Sequence, residues 1–345
     1  MLILGIETSC DETSVALLEI KNAKFFLRQN LVYSQIKVHQ KYGGVVPEVA
    51  ARKHVEKIAP LIEKALKESG KKISAIAVTA GPGLAIALMV GVETARALSY
   101  LLKIPLIAVN HIEGHIYANW LPPSFHSDKN IFPALCLIVS GGHTELLLMK
   151  DHGRYKLIGQ TKDDAVGECF DKVGKILGLP YPGGPSVALL AKKGNAAAID
   201  FPRPMINSPD FDFSYSGLKT AILYYTQKQK NNHNFPKFGV TINDVCASFQ
   251  AAAFDVLIAK TAKAVKKLKV KSLILGGGVA ANTNLQKRIT NTIGQEFQSV
   301  KIFLPENKFC GDNAAMIAAA GYWHYLKKNF TPWQKIKINP EWELV

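Results

Sequence analysis

Acidic residues are scarce relative to basic ones: 27 Asp and Glu stand against 42 Lys and Arg, for a net charge of +15. That imbalance suits a polyanionic partner, because binding releases the partner's condensed counterions. Lysine-rich stretches such as Lys260, Lys263, Lys266, Lys267, Lys269 and Lys271 are equally compatible with a solvated helix face. Cysteine is sparse too. Cys10, Cys136, Cys169, Cys246 and Cys310 are odd in number, widely spaced and include no CxxC pair. This argues against a disulfide framework or a thiolate zinc site. No run of about 18 uninterrupted apolar residues exists, so no membrane span is expected. The most apolar helical stretch, 84–102, is broken by Glu93 and Arg96. Met1-Leu2-Ile3-Leu4 has no basic leader and reads as a buried strand, so a cytoplasmic location is expected. GxGxxG and GK[ST] phosphate loops are missing, and the usual dinucleotide and Walker readings go with them.

What remains has the composition of a folded protein, with 48% hydrophobic and 20% charged residues. A length of 345 residues exceeds what one core usually holds, so two domains are expected. Short β-rich runs alternate with helical patterns, an α/β layout. Residues 2–6, 15–20, 75–79, 106–109, 134–139, 145–149 and 272–275 read as strands. Val55, Ile58, Ala59, Ile62, Ala65 and Leu66 recur at helical spacing. Leu121-Pro122-Pro123-Ser124 marks a linker, and polar 226–237 reads as a mobile loop. Each half opens with a strand, a polar turn and a strand, which suggests a duplicated domain. The last strong helix starts near Asp312.

Several residues could carry chemistry. Gly141 and Gly142 follow an apolar strand, and Gly276-Gly277-Gly278 lies between a strand and a helix. Without Cβ atoms such turns let backbone N–H groups approach an anion, though each could also be a tight bend. His111 and His115 stand four apart, so on a helix they share a face and can reach one ion; two ordinarily packed histidines are the alternative. Glu113 falls off that face, unlike the glutamate of HExxH metalloproteases. Asp312 is the best third ligand, or else a helix N-cap. Two imidazoles and one carboxylate would leave coordination positions open, as a catalytic ion requires. Asp171 and Asn282 are polar residues in apolar surroundings, either ligand contacts or caps.

Taken in order, Gly5-Ile6-Glu7-Thr8-Ser9-Cys10-Asp11-Glu12-Thr13, Gly43-Gly44-Val45-Val46-Pro47-Glu48, Thr79-Ala80-Gly81-Pro82-Gly83-Leu84, His111-Ile112-Glu113-Gly114-His115 and Val139-Ser140-Gly141-Gly142-His143-Thr144 carry a resemblance. Tyr181-Pro182-Gly183-Gly184-Pro185, Asp212-Phe213-Ser214-Tyr215-Ser216-Gly217-Leu218-Lys219, Gly276-Gly277-Gly278-Val279-Ala280-Ala281-Asn282 and Cys310-Gly311-Asp312-Asn313 extend it to the last helix. The sequence resembles the bacterial tRNA N6-adenosine threonylcarbamoyltransferases of the Kae/Gcp/TsaD family. The resemblance implies an actin-like ATPase fold of two related domains with a cleft between them. Residues 1–120, completed by 311–345, would form the first domain and 121–310 the second. It also implies the reaction. Threonylcarbamoyl-AMP would donate its threonylcarbamoyl group to the exocyclic amine of the adenosine 3′ of the anticodon, in tRNAs reading codons that start with A, and AMP would leave.

The same resemblance implies an iron ion on His111, His115 and Asp312, and this ligand set would accept zinc as well. It implies donor contacts at Ile138, Val139, Ser140, Gly141, Gly142, Asp171, Gly184 and Asn282. Its implied partners are tRNA, a TsaB-type paralogous subunit and a TsaE-type ATPase, with no membrane. Many members have an aspartate where this chain has Ala188, and archaeal and eukaryotic members a tyrosine ligand where it has Ile138. A small-molecule kinase of the same fold and a non-catalytic scaffold subunit are the alternatives. The histidine pair disfavours the kinase, which would hold magnesium through nucleotide and carboxylates.

Overall fold

In a computed structural model that describes every residue except 71, 124–128 and 232–238, the chain divides into two compact units. One comprises Met1–Asn130, Asp151–Tyr155 and Leu304–Val345, and the other Ile131–Lys150 and Lys156–Phe303. The first unit's sheet starts with β1 (Leu2–Glu7), β2 (Glu12–Lys21) and β3 (Lys24–Ser34), an antiparallel meander. A short α1 (Ile36–His39) precedes α2 (Pro47–Ser69), which leads to β4 (Ala75–Gly81), and α3 (Ala85–Leu102) leads to β5 (Leu106–Asn110). β4 runs parallel to β1 and β5 parallel to β4, so the order is β3-β2-β1-β4-β5. α4 (His111–Tyr117) follows β5 without a loop.

The second unit repeats the plan. β6 (Ala134–Val139), β7 (Thr144–Asp151) and β8 (Arg154–Gln160) come first, then α5 (Val166–Ile176), α6 (Gly183–Ala191), α7 (Ser216–Asn231) and α8 (Ile242–Leu268). β9 (Ser272–Gly276) lies parallel to β6, and α9 (Thr283–Glu296) leads to β10 (Lys301–Phe303), giving β10-β9-β6-β7-β8. The chain then returns to the first unit through α10 (Asn307–Cys310) and α11 (Ala314–Leu326).

β1 is buried along its whole length, which is why it reads as a continuous apolar run and not an alternation. Its two faces still differ by the strand period of two. Leu2, Leu4 and Ile6 enter a core with Ile58 and Ile62 of α2 and Val92 and Ala95 of α3. Ile3, Gly5 and Glu7 point the other way, towards α11. Gly5 is needed there, because a Cβ would come within 2.2 Å of the Ala314 carbonyl oxygen. That close approach brings the start of α11 onto the sheet beside α4.

Sequence expectations meet two corrections, at the cap of α11 and at the end of α7. α11 is capped by Asn313, whose side chain accepts from Met316 N–H, and not by Asp312. Residues 226–231 are the end of α7 and not a loop, while 232–237 of that expected loop and Ser124 of the expected linker lie outside the described residues. α3 and α8 are long and apolar enough to cross a membrane by length and composition. A criterion of uninterrupted apolar runs does not register them. Both bury side chains within their own units: Leu88 and Val92 from α3, Phe249 and Phe254 from α8. The five cysteines are unpaired.

Replacing Gly5 by alanine is expected to lower stability by roughly 1–3 kcal/mol, the usual scale for overpacking a filled interior. Gly294→Ala, in a helix where nothing lies within 4 Å of the new Cβ, is expected to leave the thermal midpoint unchanged or raise it. Thermal unfolding followed by circular dichroism checks both.

Candidate metal centre

The centre is built from the junction of β5 and α4. Asn110 caps the helix, its side-chain oxygen accepting from Ile112 N–H at 2.8 Å, while its amide donates to the Trp342 carbonyl at 2.9 Å. α4 is buried on every side. His111 and His115 lie one turn apart with ring centroids 4.6 Å from each other. Gly114 between them lets α4 settle against α11, since a Cβ there would come within 2.7 Å of Ile317 Cδ1. Because Asn313 does the capping, the Asp312 carboxylate is released to face the imidazoles. Its Oδ1 lies 3.4 Å from His111 Nε2 and 3.3 Å from His115 Nε2. The three ligand atoms are within 4.8 Å of one another.

Behind His111 stands a second carboxylate. His111 Nδ1 donates to Glu7 Oε2 at 2.9 Å, and Thr79 Oγ1 donates to the same oxygen at 2.6 Å. Ser9 N–H donates to Glu7 Oε1 at 2.5 Å. A hydrogen bond on Nδ1 fixes the ring's tautomer and turns Nε2 towards Asp312, the outer-shell arrangement seen behind metal-binding histidines. The charges follow from these contacts. Burial by itself would lower the His111 pKa, but Asp312 and Glu7 outweigh it and hold the imidazolium well above the ordinary histidine range. Burial would raise Asp312, and His111 and His115 bring it far below the usual carboxylate range. Burial likewise opposes Glu7, which His111 and Thr79 draw down. His115 keeps a lowered pKa because burial dominates there, so it is neutral.

The residues fit a divalent transition ion. The approach of Asp312 to His115 does not meet hydrogen-bond geometry, so among the described residues neither ring nitrogen of the fully buried His115 has a hydrogen-bond partner. Unsatisfied buried nitrogens are costly, and an ion shared with His111 Nε2 and Asp312 would satisfy the one that faces them. Glu113, as its position in the motif implies, is engaged elsewhere. It accepts from Tyr155 Oη at 2.9 Å and from His324 Nε2 at 2.7 Å. It is therefore not the base of a metalloprotease.

The residues expected to contact a donor all belong to the second unit. Ile138 and Val139 have fully buried side chains, and Ile138 pairs with both Glu145 and Gly276. Ser140 Oγ accepts from His143 N–H at 3.1 Å, and exposed backbone begins at Gly141 and Gly142. Asp171 and Gly184 are brought together, with Gly184 N–H donating to Asp171 Oδ1 at 3.0 Å. Asn282 caps α9 through Asn284 and Leu285 N–H, and its amide donates to Gln250 Oε1 at 2.7 Å. Glu7 and Thr79 are the residues that sequence reasoning missed. The available signal was a lone carboxylate ending an otherwise apolar strand.

The family model described as tRNA N6-adenosine threonylcarbamoyltransferase (TsaD) matches residues 26–319. The protein of that name from Geotalea uraniireducens is 48% identical over 347 residues, covering 100% of this chain and 97% of its own. The one from Bacillus subtilis is 48% identical over 326 residues, covering 93% of this chain and 90% of its own. Among solved structures, HypF from T. kodakarensis superposes with a TM-score of 0.62 at 14% identity, over 95% of this chain and 48% of that one. That likeness gives the fold alone, which is the actin-like ATPase type.

With His111 protonated and His115 neutral in the metal-free protein, metal uptake near neutral pH is expected to release about one proton. Affinity then rises with pH up to the raised His111 pKa. Below the lowered His115 pKa a second proton must leave, and the dependence steepens. Calorimetric titration of zinc in buffers of different ionisation enthalpy measures the proton count. A count of zero at neutral pH would contradict the assignment of charge.

Proposed function

The chain belongs to the tRNA N6-adenosine threonylcarbamoyltransferase family, and on that premise we propose that it transfers the threonylcarbamoyl group of threonylcarbamoyl-AMP to tRNA. The acceptor is the exocyclic amine of the adenosine 3′ of the anticodon, in tRNAs reading codons that start with A. The observation that carries this reading is the convergence of His111, His115 and Asp312 in a chain matching that family along its whole length. A kinase of the same fold has no use for two imidazoles at a buried carboxylate.

In the transfer, the amine nitrogen bonds to the carbamoyl carbon, the bond from that carbon to the phosphate oxygen breaks, AMP departs and the amine gives up a proton. His111, His115 and Asp312 would hold a divalent ion, iron in preference to zinc, which would supply Lewis-acid polarisation of the donor's carbonyl or carboxylate oxygens. Glu7 keeps His111 in the tautomer that presents Nε2. The exposed backbone at Gly141 and Gly142 offers amide donors to the adenylate phosphate, with Ile138, Val139 and Ser140 forming the strand end that carries it. Asp171 anchors the start of α6, where Gly184 allows close approach, and Asn282 adds an amide. No side chain is assigned as general base; orientation of the amine supplies the entropic part of catalysis. A TsaB-type subunit and a TsaE-type ATPase are the partners that the family reading brings with it.

The test is reconstitution with threonine, bicarbonate, ATP, a threonylcarbamoyl-AMP synthase, the two partners and unmodified tRNA, with the modified nucleoside read by mass spectrometry. His111→Ala and Asp312→Ala are expected to lose at least about 100-fold in rate while keeping the wild-type circular dichroism spectrum. Wild-type rates in either variant would remove the metal from the reaction. No modified nucleoside from the wild type would end the transferase reading.

A further inference from the structure

The chain's positive charge is not spread evenly. Residues 260–301 carry nine Lys and Arg and a single acidic residue, Glu296, more than half of the net +15. Two of the nine are taken up by acidic partners. Lys260 is fully buried on Ser208 and Asp210, and Arg288 pairs with Asp255. Lys263 holds the carbonyls of Ser208 and Pro209 and lies over the Phe211 ring. Others are exposed around the end of α8. Lys266 and Lys267 occupy its last turn, Lys269 is its C-cap in the left-handed region, and Lys271 precedes β9. Lys266, Lys269 and Lys271 have no acidic partner among the described residues.

A helix C-terminus attracts one or two cations by its dipole, which accounts for Lys266 and Lys267. It does not account for Lys269 and Lys271, which crowd more like charge onto the same spot and repel. Lys266 and Lys269 also line a groove of about 620 Å³, closed on its other side by residues 295–300. Its position in the unit narrows the ligand. Lys271 and the groove lie where β9 and β10 begin, whereas Gly141, Gly142 and Gly277 lie where β6 and β9 end. A five-residue strand separates them by about 16 Å, too far for the same small nucleotide to touch both.

We propose that the α8 end, with Lys266, Lys269 and Lys271, is a docking surface for the phosphate backbone of the tRNA substrate, remote from the acyl donor. The proposal rests on the transferase reading for the identity of the polyanion. Phosphate contacts of this kind position a nucleic acid without reading its sequence. They contribute a salt dependence of about 0.7–0.9 in the logarithmic slope for each contact.

The full-length triple variant Lys266→Gln/Lys269→Gln/Lys271→Gln is compared with Lys156→Gln/Lys192→Gln/Lys193→Gln, which removes the same charge from exposed positions elsewhere in the unit. Filter binding of unmodified tRNA over a range of salt gives the slope, and the reconstituted reaction gives KM and kcat. The first variant is expected to lose about two in slope and to raise the KM for tRNA roughly tenfold. Its kcat at saturating tRNA and its metal content stay at wild-type values. The second variant behaves as wild type. An unchanged slope in the first variant, or an equal loss in both, overturns the docking surface. A wild type that forms no modified nucleoside defeats the transferase reading instead, and the slopes still decide the surface.

Discussion

A carboxylate taken out of water must be met by positive charge or by several donors. In this chain two carboxylates converge on one imidazole. Glu7 is wholly buried behind His111, and Asp312, mostly buried, stands in front of it. His111 is therefore held from both sides, by Glu7 at Nδ1 and by Asp312 at Nε2. Much of the first unit can be understood as the framework that makes this possible. β1 delivers Glu7, β4 delivers Thr79 to the same oxygen, β5 runs into α4, and α11 returns from the far end of the chain with Asp312 at its start. Small residues at Gly5 and Gly114 let the helices come close enough for the side chains to meet.

The same plan of sheet occurs twice, yet the two units carry different chemistry. In the first, the turn after the opening strand follows a carboxylate, Glu7, and the element after the last parallel strand bears histidines. In the second, the corresponding strand β6 ends in Ser140, Gly141 and Gly142, with little but backbone to offer. The two copies of this sheet plan differ at their strand ends, where the first unit gathers imidazoles and carboxylates and the second presents backbone. The excess of lysine falls in the second unit, at the opposite ends of its strands.

Some of this was legible in the sequence, for identifiable reasons. The i, i+4 spacing of His111 and His115 is enough to put both on one helical face, and an alanine-rich run marks α11. Periodicity also locates β1, β4, β5, β6 and β9 because each is a short apolar run. It does not find β3, where Lys24, Arg28, Gln29 and Asn30 interrupt the apolar residues and most side chains are half-buried or exposed, or β10, which is only three residues long. The place of Glu7 at the end of an apolar strand marks the residue but not its role, for a different reason. Its partners stand 72 and 104 positions away, and its direction depends on which face of β1 receives α11. The choice between cap and ligand at Asp312 also needed coordinates, since Asn313 next to it is an equally good cap in sequence. Asn282 shows the converse, for its oxygen is already spent on α9 while its amide reaches Gln250.

The central claim is that one divalent ion sits on two imidazoles and one carboxylate, with Glu7 behind. X-ray absorption at the metal edge of the loaded protein addresses it directly. Two imidazole nitrogens and a carboxylate oxygen from the chain are expected at about 2.0–2.2 Å, the remaining ligands being light atoms. One imidazole should disappear from the scattering of His115→Ala. Sulfur at about 2.3 Å, or a spectrum without imidazole outer-shell scattering, would contradict it.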